Sequence, residues 1–444
     1  MLAPSRVTAL SGAFAAYAEG VDAIDSNAAA VAVRPPYSLE WFDFDLTLGV
    51  GFPATFRRTD FDNDGQVGFT YSDFLFYTLG AQAQLGPWGI GLLGDFQQYN
   101  VSATSGSNLG GTETLGRLHA LVGRYFFGGR LTVGAGARIV TLSLDTTQKG
   151  NPTNKLTMDG IGPEIGVQIR PDFEPWRLGA TFRAGVTGRA SSGTPDGGST
   201  ALLRPASISL PWELELGAAI QVGPRPLNPH WIDPHEQEAR VRQQIDGDRS
   251  LRQAAQEAEL AGISDEAQRA ERREQLAYQE SFVRREEDEQ MESASERLLL
   301  ERKARYANWP RERITVLLAL LVSGKSDDAV GLETFFAGQA GNFTGQPGST
   351  NMLFKRSGES ISYSPRLGLE GEPVPDRIQT RIGTYIEPSR FGRIARQHFT
   401  FGFDVKLFAW SMFGIAGDQI WRIGGVTDLA PRYQSFGLSI GAWH

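Results

Sequence analysis

Phe42-Asp43-Phe44-Asp45-Leu46-Thr47-Leu48-Gly49-Val50-Gly51-Phe52 alternates without a fault: Phe, Phe, Leu, Leu, Val and Phe on one side, Asp, Asp, Thr, Gly and Gly on the other. Successive side chains of a strand point to opposite faces, so this strand separates two unlike solvents. The period recurs along the chain. Trp176, Leu178, Ala180, Phe182, Ala184 and Val186 alternate with Arg177, Gly179, Thr181, Arg183 and Gly185. Ile208, Leu210, Trp212, Leu214, Leu216, Ala218 and Ile220 do the same against Ser209, Pro211, Glu213, Glu215, Gly217 and Ala219. Phe399, Phe401, Phe403, Val405 and Leu407 follow near the end.

Outward from these segments, strands are predicted near 38–53, 67–85, 88–103, 113–126, 130–145, 156–170, 175–190, 205–222, 311–324, 359–372, 377–388, 397–410, 412–425 and 432–443. Most exceed about 10 residues, whereas strands of soluble proteins are about 5–6 long. Aromatic residues mark the ends of the apolar bands (Trp41, Phe52, Trp88, Tyr125, Phe126, Trp176, Trp410 and Trp443), as at membrane interfaces. Short turns (Gly86-Pro87, Gly128-Gly129, Asp172-Phe173-Glu174) alternate with long polar connections. The expected architecture is an all-β transmembrane barrel of about 14 antiparallel strands. On the polar faces lie Asp43, Asp45, Arg138, Glu164, Arg183, Glu213, Glu215, Arg366, Glu370, Arg381, Asp404 and Lys406. They are expected to face the lumen, where they brace the barrel or shape a polar path.

Composition is split along the chain. From His235 to Tyr306, 31 of 72 residues are charged and two are glycine; the other 372 residues hold 63 charges and 50 of the 52 glycines. The body is therefore a glycine-rich material and the insert a water-loving one. Helices are predicted over about 235–260 and 265–306, with Asp265 and Gln268 placed as a capping box. The second helix is polar nearly all round, which suits a solvated hairpin or a partner-binding arm. The domain reading is 1–36, an N-terminal plug; 37–222, strands 1–8; 223–310, the helical insert; and 311–444, strands 9–14.

The chain has no cysteine, which excludes disulfides, thiolate metal sites and a cysteine nucleophile. A net charge of −8, with mixed signs in the insert, argues against nucleic acid. The most apolar stretch, Ile314–Val322, is too short for a membrane helix. Met1-Leu2-Ala3-Pro4-Ser5-Arg6 lacks the regions of a signal peptide, so a secreted form is expected to have lost its leader. Asp60, Asp62 and Asp64, with Gln66 next, carry calcium-loop spacing, but Tyr71 stands where a bidentate glutamate belongs. The same stretch also reads as a hairpin turn on Asn63, Asp64 and Gly65. Gly89-Ile90-Gly91-Leu92-Leu93-Gly94 matches a dinucleotide fingerprint but lies inside a predicted strand, where glycines let another backbone approach. His119 and His398 are the histidines that a lumenal esterase would use. No G-x-S-x-G accompanies them, so no enzymatic activity and no cofactor is expected.

Residues 1–36 are of another kind. Ser11-Gly12-Ala13-Phe14, then Asp22 to Asn27 followed by Ala28-Ala29-Ala30, resemble the N-terminal plug of the long-chain fatty-acid transporter family of outer-membrane proteins (FadL type), including PorV-like relatives. The family's proline and glycine after the asparagine are replaced by alanines. Arg381-Ile382-Gly383-Thr384-Tyr385-Ile386-Glu387-Pro388, with His398-Phe399-Thr400-Phe401-Gly402-Phe403, is similar to a strand pair of that family. The resemblance implies a 14-stranded barrel in the bacterial outer membrane, in contact with its lipid. It implies a hatch involving Gly12, Ala13, Phe14, Asn27, Ala28 and Ala29, and passage of hydrophobic small molecules such as fatty acids. The PorV-like side of the resemblance implies instead a non-transporting scaffold. By topology the insert then projects into the periplasm, where 235–306 would dock a protein partner.

Overall fold

The computed structural model describes residues 3–34, 38, 41–53, 59–61, 63, 75–102, 109–148, 151–190, 207–229, 231, 234–326, 329–331, 356–410 and 419–443. Among these residues are sixteen strand segments: β1 Phe42–Pro53, β2 Leu75–Leu85, β3 Trp88–Ser102, β4 Leu109–Phe126, β5 Leu131–Gln148, β6 Asn151–Ile169, β7 Trp176–Arg183 and β8 Val186–Ala190. Then follow β9 Ser207–Leu210, β10 Glu213–Val222, β11 Ile314–Ser323, β12 Ser362–Val374, β13 Ile378–Glu387, β14 Arg396–Trp410, β15 Gln419–Ala430 and β16 Tyr433–Ala442. β7 runs on into β8, and β9 into β10, so the segments form 14 staves. Each stave pairs antiparallel with its neighbours in sequence; β1 pairs with β16, and Thr47 lies opposite Gly441. The sheet is closed, so these staves leave no free edge among the described residues.

The alternation accounts for this wall. Leu48, Leu79, Ile90, Leu92, Ile165, Leu216, Leu318, Phe401 and Leu438 are exposed on the outside, while Asp45, Arg138, Glu164, Glu215, Glu370 and Asp404 are buried within. Tight turns close one rim at Gly86-Pro87, 127–130, 170–175 and 375–377. At the other rim the described strand ends are separated by longer stretches of sequence, 54–74, 103–108, 191–206 and 324–361. The fifth and sixth staves are longer than the pattern predicts, pairing out to Gln148 and Asn151 with a bulge at Thr146/Thr147. The described part of the thirteenth is Gln419–Ala430, which runs five residues past the predicted end at 425; 412–418 lie outside the described residues.

One departure matters for the interior. Between the Arg183–Glu213 and Val186–Leu210 register pairs, both strands are interrupted, at Ala184-Gly185 and at Pro211-Trp212. Pro211 has no N–H to give the ladder. An odd step in the count moves every following side chain to the opposite face. Val186, which the alternation places outside with Phe182, is therefore buried inside. Ile208 and Leu210 turn inward with it and pack against Leu115, Val140, Leu142 and Met158.

The chain divides into two compact units. The barrel unit comprises 1–35, 44–229 and 310–444; the second comprises 36–43 and 230–309. In the second, α2 (Pro234–Ala261) and α3 (Glu266–Ala307) form a hairpin with the predicted limits. Pro234 stands at the first helical position, where its missing N–H costs nothing. Arg249 to Glu287 and Arg272 to Glu259, each 2.7 Å, tie the helices together, around a small core containing Ile245 and Leu276. No helix among the described residues is long and apolar enough to cross a membrane. Asp265 caps α3 by accepting from Ala267 N (2.8 Å) and Gln268 N (3.4 Å). Asp265→Ala should cost the hairpin about 1 kcal/mol. Circular dichroism melting should show the helical signal lost several degrees earlier, with the β signal unchanged.

Candidate functional site

Residues 3–34 lie within the ring of staves. The segment is largely irregular: α1 (Ser5–Ala9) and short 3-10 turns at Val21–Ala23 and Ala28–Ala32. A buried irregular chain must find partners for its peptide groups. Here the wall's side chains supply them. Gln84 Nε2 donates to the carbonyls of Val31 and Val33 (3.2 and 2.6 Å), and Gln168 Nε2 to Ala18 O (2.7 Å). Thr400 Oγ1 reaches Ala9 O (2.8 Å), and Asp45 accepts from Val21 N (2.8 Å).

The wall's glycines make this approach possible. A Cβ on Gly89 would overlap the Val31 carbonyl; on Gly134, the Ala28 carbonyl; on Gly166, Asn27 Oδ1; on Gly179, the Ala15 carbonyl. Of the fingerprint glycines, Gly89 is thus a seat for another backbone and Gly91 for the side chains of Ile24 and Val31. Of the six residues in the plug reading, Gly12 adopts φ 71° and its carbonyl accepts from Arg366 (3.1 Å). Ala13 and Phe14 are buried, and the Phe14 ring meets Tyr17 edge-on at 5.8 Å. Asn27 ties three chain segments: its Nδ2 donates to Ala15 O (2.8 Å) and Val167 O (3.1 Å), and its Oδ1 caps Ala29 N (2.9 Å). Ala28 and Ala29 are buried, and their backbone lies against Gly134 and Gly166, where a Cβ would overlap it.

Ion pairs hold the segment on both sides. Glu370 receives Arg6 (3.5 Å), Arg313 (3.2 Å), Arg381 (2.7 Å) and the Tyr17 hydroxyl (3.2 Å). Arg381 also reaches Asp404 (2.5 Å), which pairs with Arg422 (3.1 Å), which in turn binds Asp22. Glu19 bonds Arg177 (3.0 Å) and Arg6 (3.2 Å). Burial pushes the Glu19 carboxyl up, but Arg177 and Arg6 outweigh it and hold it at about 2. Arg6 and Arg177 also stack on Tyr17, 5.5 and 5.0 Å from its ring centre.

Further along the staves the lining changes. On β5 the inward positions run Gly134, Gly136, Arg138, Val140, Leu142: a seat for the segment, then charge, then an apolar surface. The charged level surrounds a cavity of about 210 Å³ lined by Asp25, Asp95, Arg117, His119, Arg138, Arg183, Glu213, Glu215 and Arg366, among others. Arg138 pairs with Glu213 (2.9 Å), Arg366 with Glu215 (3.4 Å), and His119 Nδ1 lies 3.0 Å from Glu164. Beyond it, toward the rim of long links, lies the apolar cluster of Leu115, Val140, Leu142, Met158 and Val186.

Of the other residues assigned to the lumen, Lys406 pairs with Asp376 (2.7 Å) in the β12–β13 turn, and Asp43 accepts from Ser38. His398 is buried between Asp428 (2.8 Å) and Glu387 (3.0 Å), stacked on Tyr385. Arg396, bound to Glu387, donates to the Asp60 carbonyl (2.6 Å). Asp62, Asp64 and Gln66 lie outside the described residues, and no cluster of three or more metal-ligating side chains occurs among the described ones. Arg6, Glu19, Asp22 and Asp25 escape a reading by strand faces. Their signal is nonetheless present: with Arg34 they are the five charges of residues 3–34, a stretch otherwise rich in small residues. Asp95, Arg177, Arg313 and Arg422 escape it too, because their role depends on that segment.

No protein-family model and no curated protein sequence matches the chain. Solved structures similar to it include the toluene transporter TodX of P. putida, with a TM-score of 0.48 at 11% identity over 98% of this chain and 96% of that one. The toluene transporter TbuX of Ralstonia pickettii gives 0.46 at 12% identity over 99% and 97%. A FadL homologue of Pseudomonas aeruginosa gives 0.45 at 9% over 100% and 98%.

Proposed function

We propose that this chain is an outer-membrane barrel that admits hydrophobic molecules of the fatty-acid type. The observation that carries the reading is the apolar cluster around Met158 on the inner wall. A barrel interior in contact with water has no need of a cluster of five buried apolar side chains, and here two strands invert their alternation to complete it. The cluster borders the cavity that holds Arg117, Arg138 and Arg183. An aliphatic tail fits the first surface and a carboxylate head the second, since guanidinium and carboxylate match in geometry. The apolar outer band and its aromatic ends support a membrane setting. The N-terminal segment, lying on the tight-turn side of the cavity, serves in this reading as the hatch.

Native mass spectrometry of the purified, delipidated chain incubated with a long-chain fatty acid tests this. The parent should retain the acid. Met158→Glu should retain at least about tenfold less, because ionised glutamate is costly to bury against an apolar ligand. A parent that retains no fatty acid would end the proposal.

A further inference from the structure

We propose that the Asp25 carboxyl is a proton-operated latch for the N-terminal segment: protonated, it keeps the turn at residues 24–27 seated, and ionised, it drives that turn off the wall. This inference concerns docking of the segment and holds whatever the barrel carries.

The charge pattern around the cavity carries it. β3 contributes Asp95, β4 Arg117 and His119, β5 Arg138, β6 Glu164, β7 Arg183, β10 Glu213 and Glu215, and β12 Arg366. Four guanidiniums and four carboxylates, Asp25 among them, line the cavity with His119, which pairs with Glu164 (3.0 Å). The wall's four acids have cationic neighbours: Asp95 with Arg117 (3.8 Å), Glu213 with Arg138 (2.9 Å), Glu215 with Arg366 (3.4 Å) and Glu164 with Arg183 (3.8 Å). Asp25 is the fifth. Its carboxylate receives the hydroxyl of its neighbour Ser26 (3.0 Å). Arg183 donates to the backbone carbonyls of Asp25 and Ser26, and with His119 it partly offsets the charge of the Asp25 carboxylate. Asp95, itself buried, has an Oδ2 that accepts no hydrogen bond among the described residues. Asp25 and Asp95 thus share one cavity, and a proton on Asp25 removes the repulsion between them.

The acidity agrees. Burial first, and the Asp95 carboxylate second, push Asp25 up to about 7. The sign follows from that direction. Once the turn leaves the wall, Asp25 reverts to an ordinary carboxyl near about 4. Docking is therefore strongest below about pH 4, weakens as the pH rises through about 7, and is constant above it. The turn is placed to transmit this. It joins the 3-10 turn at Val21–Ala23 to Asn27, whose three hydrogen bonds hold the segment together and to β6.

The absence of cysteine makes the test direct. Ala23→Cys places a thiol at a fully buried position of the segment, and Ser250→Cys on the exposed face of α2 reports the pH dependence of the thiol chemistry itself. Maleimide labelling of Ala23→Cys in the full chain in detergent, divided by that of Ser250→Cys, should rise at least about tenfold from pH 5 to pH 8. One proton changes the docking equilibrium by at most about tenfold for each pH step of one, so the rise is well within reach. Adding Asp25→Asn should abolish the rise. Asp95→Asn, which removes the repelling neighbour and leaves Asp25 free to ionise, should reduce it, and serves if Asp25→Asn does not fold. A flat parent profile, or a rise that persists in both variants, would overturn the proposal.

Discussion

Gly134→Val is expected to turn a barrel with a filled interior into an open one. The new Cβ would overlap the Ala28 carbonyl, a backbone group that cannot rotate away. The wall cannot yield, because β5 is paired on both sides over most of its length. The segment must move instead. Overpacking costs about 1–3 kcal/mol when side chains can adjust, and more when they cannot. About 3 kcal/mol is more than a hundredfold in the docking equilibrium. Planar-bilayer recordings should therefore show brief, rare openings for the parent and sustained conductance for Gly134→Val. Gly49 supplies the control. It also faces inward, but a Cβ there meets Thr78 at 3.7 Å, an ordinary contact, and Gly49→Ala should leave the conductance unchanged. Conductance equal to the parent's in Gly134→Val would mean that the segment does not occlude the barrel.

Glu370→Gln is expected to give the largest loss of stability of any single substitution in the charged network. Glu370 takes three guanidiniums and the Tyr17 hydroxyl, all buried. Without its charge, Arg6, Arg313 and Arg381 remain crowded together with only Asp404 and Glu19 nearby among the described acids. Removing one partner of a buried ion pair costs about 3–5 kcal/mol, chiefly because the stranded charge stays buried. Denaturant unfolding should show a lowered midpoint at unchanged slope. Glu370→Gln combined with Arg313→Gln should recover part of the loss, and a double-mutant cycle would measure how much. Additive effects would show that these contacts are not energetically coupled.

The wall is legible in the sequence because its physics is local. A strand between lipid-facing and interior-facing environments must alternate, and Phe42–Phe52 does so residue by residue. The helical hairpin is legible for the same reason, through Asp265 and the change in charge density. The interior is harder. Val186, Ile208 and Leu210 follow the outward pattern as a string, and what turns them inward is the paired interruption at Ala184-Gly185 and Pro211-Trp212. That depends on how two strands are aligned, which no single window contains. The lumenal acids and bases can be named by face, but not matched. Nothing local says that Asp404 joins Arg381 to Arg422, or that Arg422 ends on Asp22, 400 residues away. Glycine is the fairest clue. Its excess in the body anticipates close backbone approach, and Gly89, Gly134, Gly166 and Gly179 give that expectation an address.

The glycine seats also constrain the order of assembly. The wall fits the segment at the level of backbone against backbone, as a casting fits its mould. Such a fit is hard to reach by sliding the segment end-on into a finished cylinder, because its carbonyls sit where Gly89, Gly134 and Gly179 leave no space for even a Cβ. The early staves are therefore expected to fold around residues 15–33 while the sheet is still open, with Asn27 and Gln168 bonding the segment to them. The Asp22–Arg422 pair and the β1–β16 seam, which join the two ends of the chain, come last. The N-terminal segment is then a template for its own enclosure, and a barrel made without it would have to find its circumference by other means.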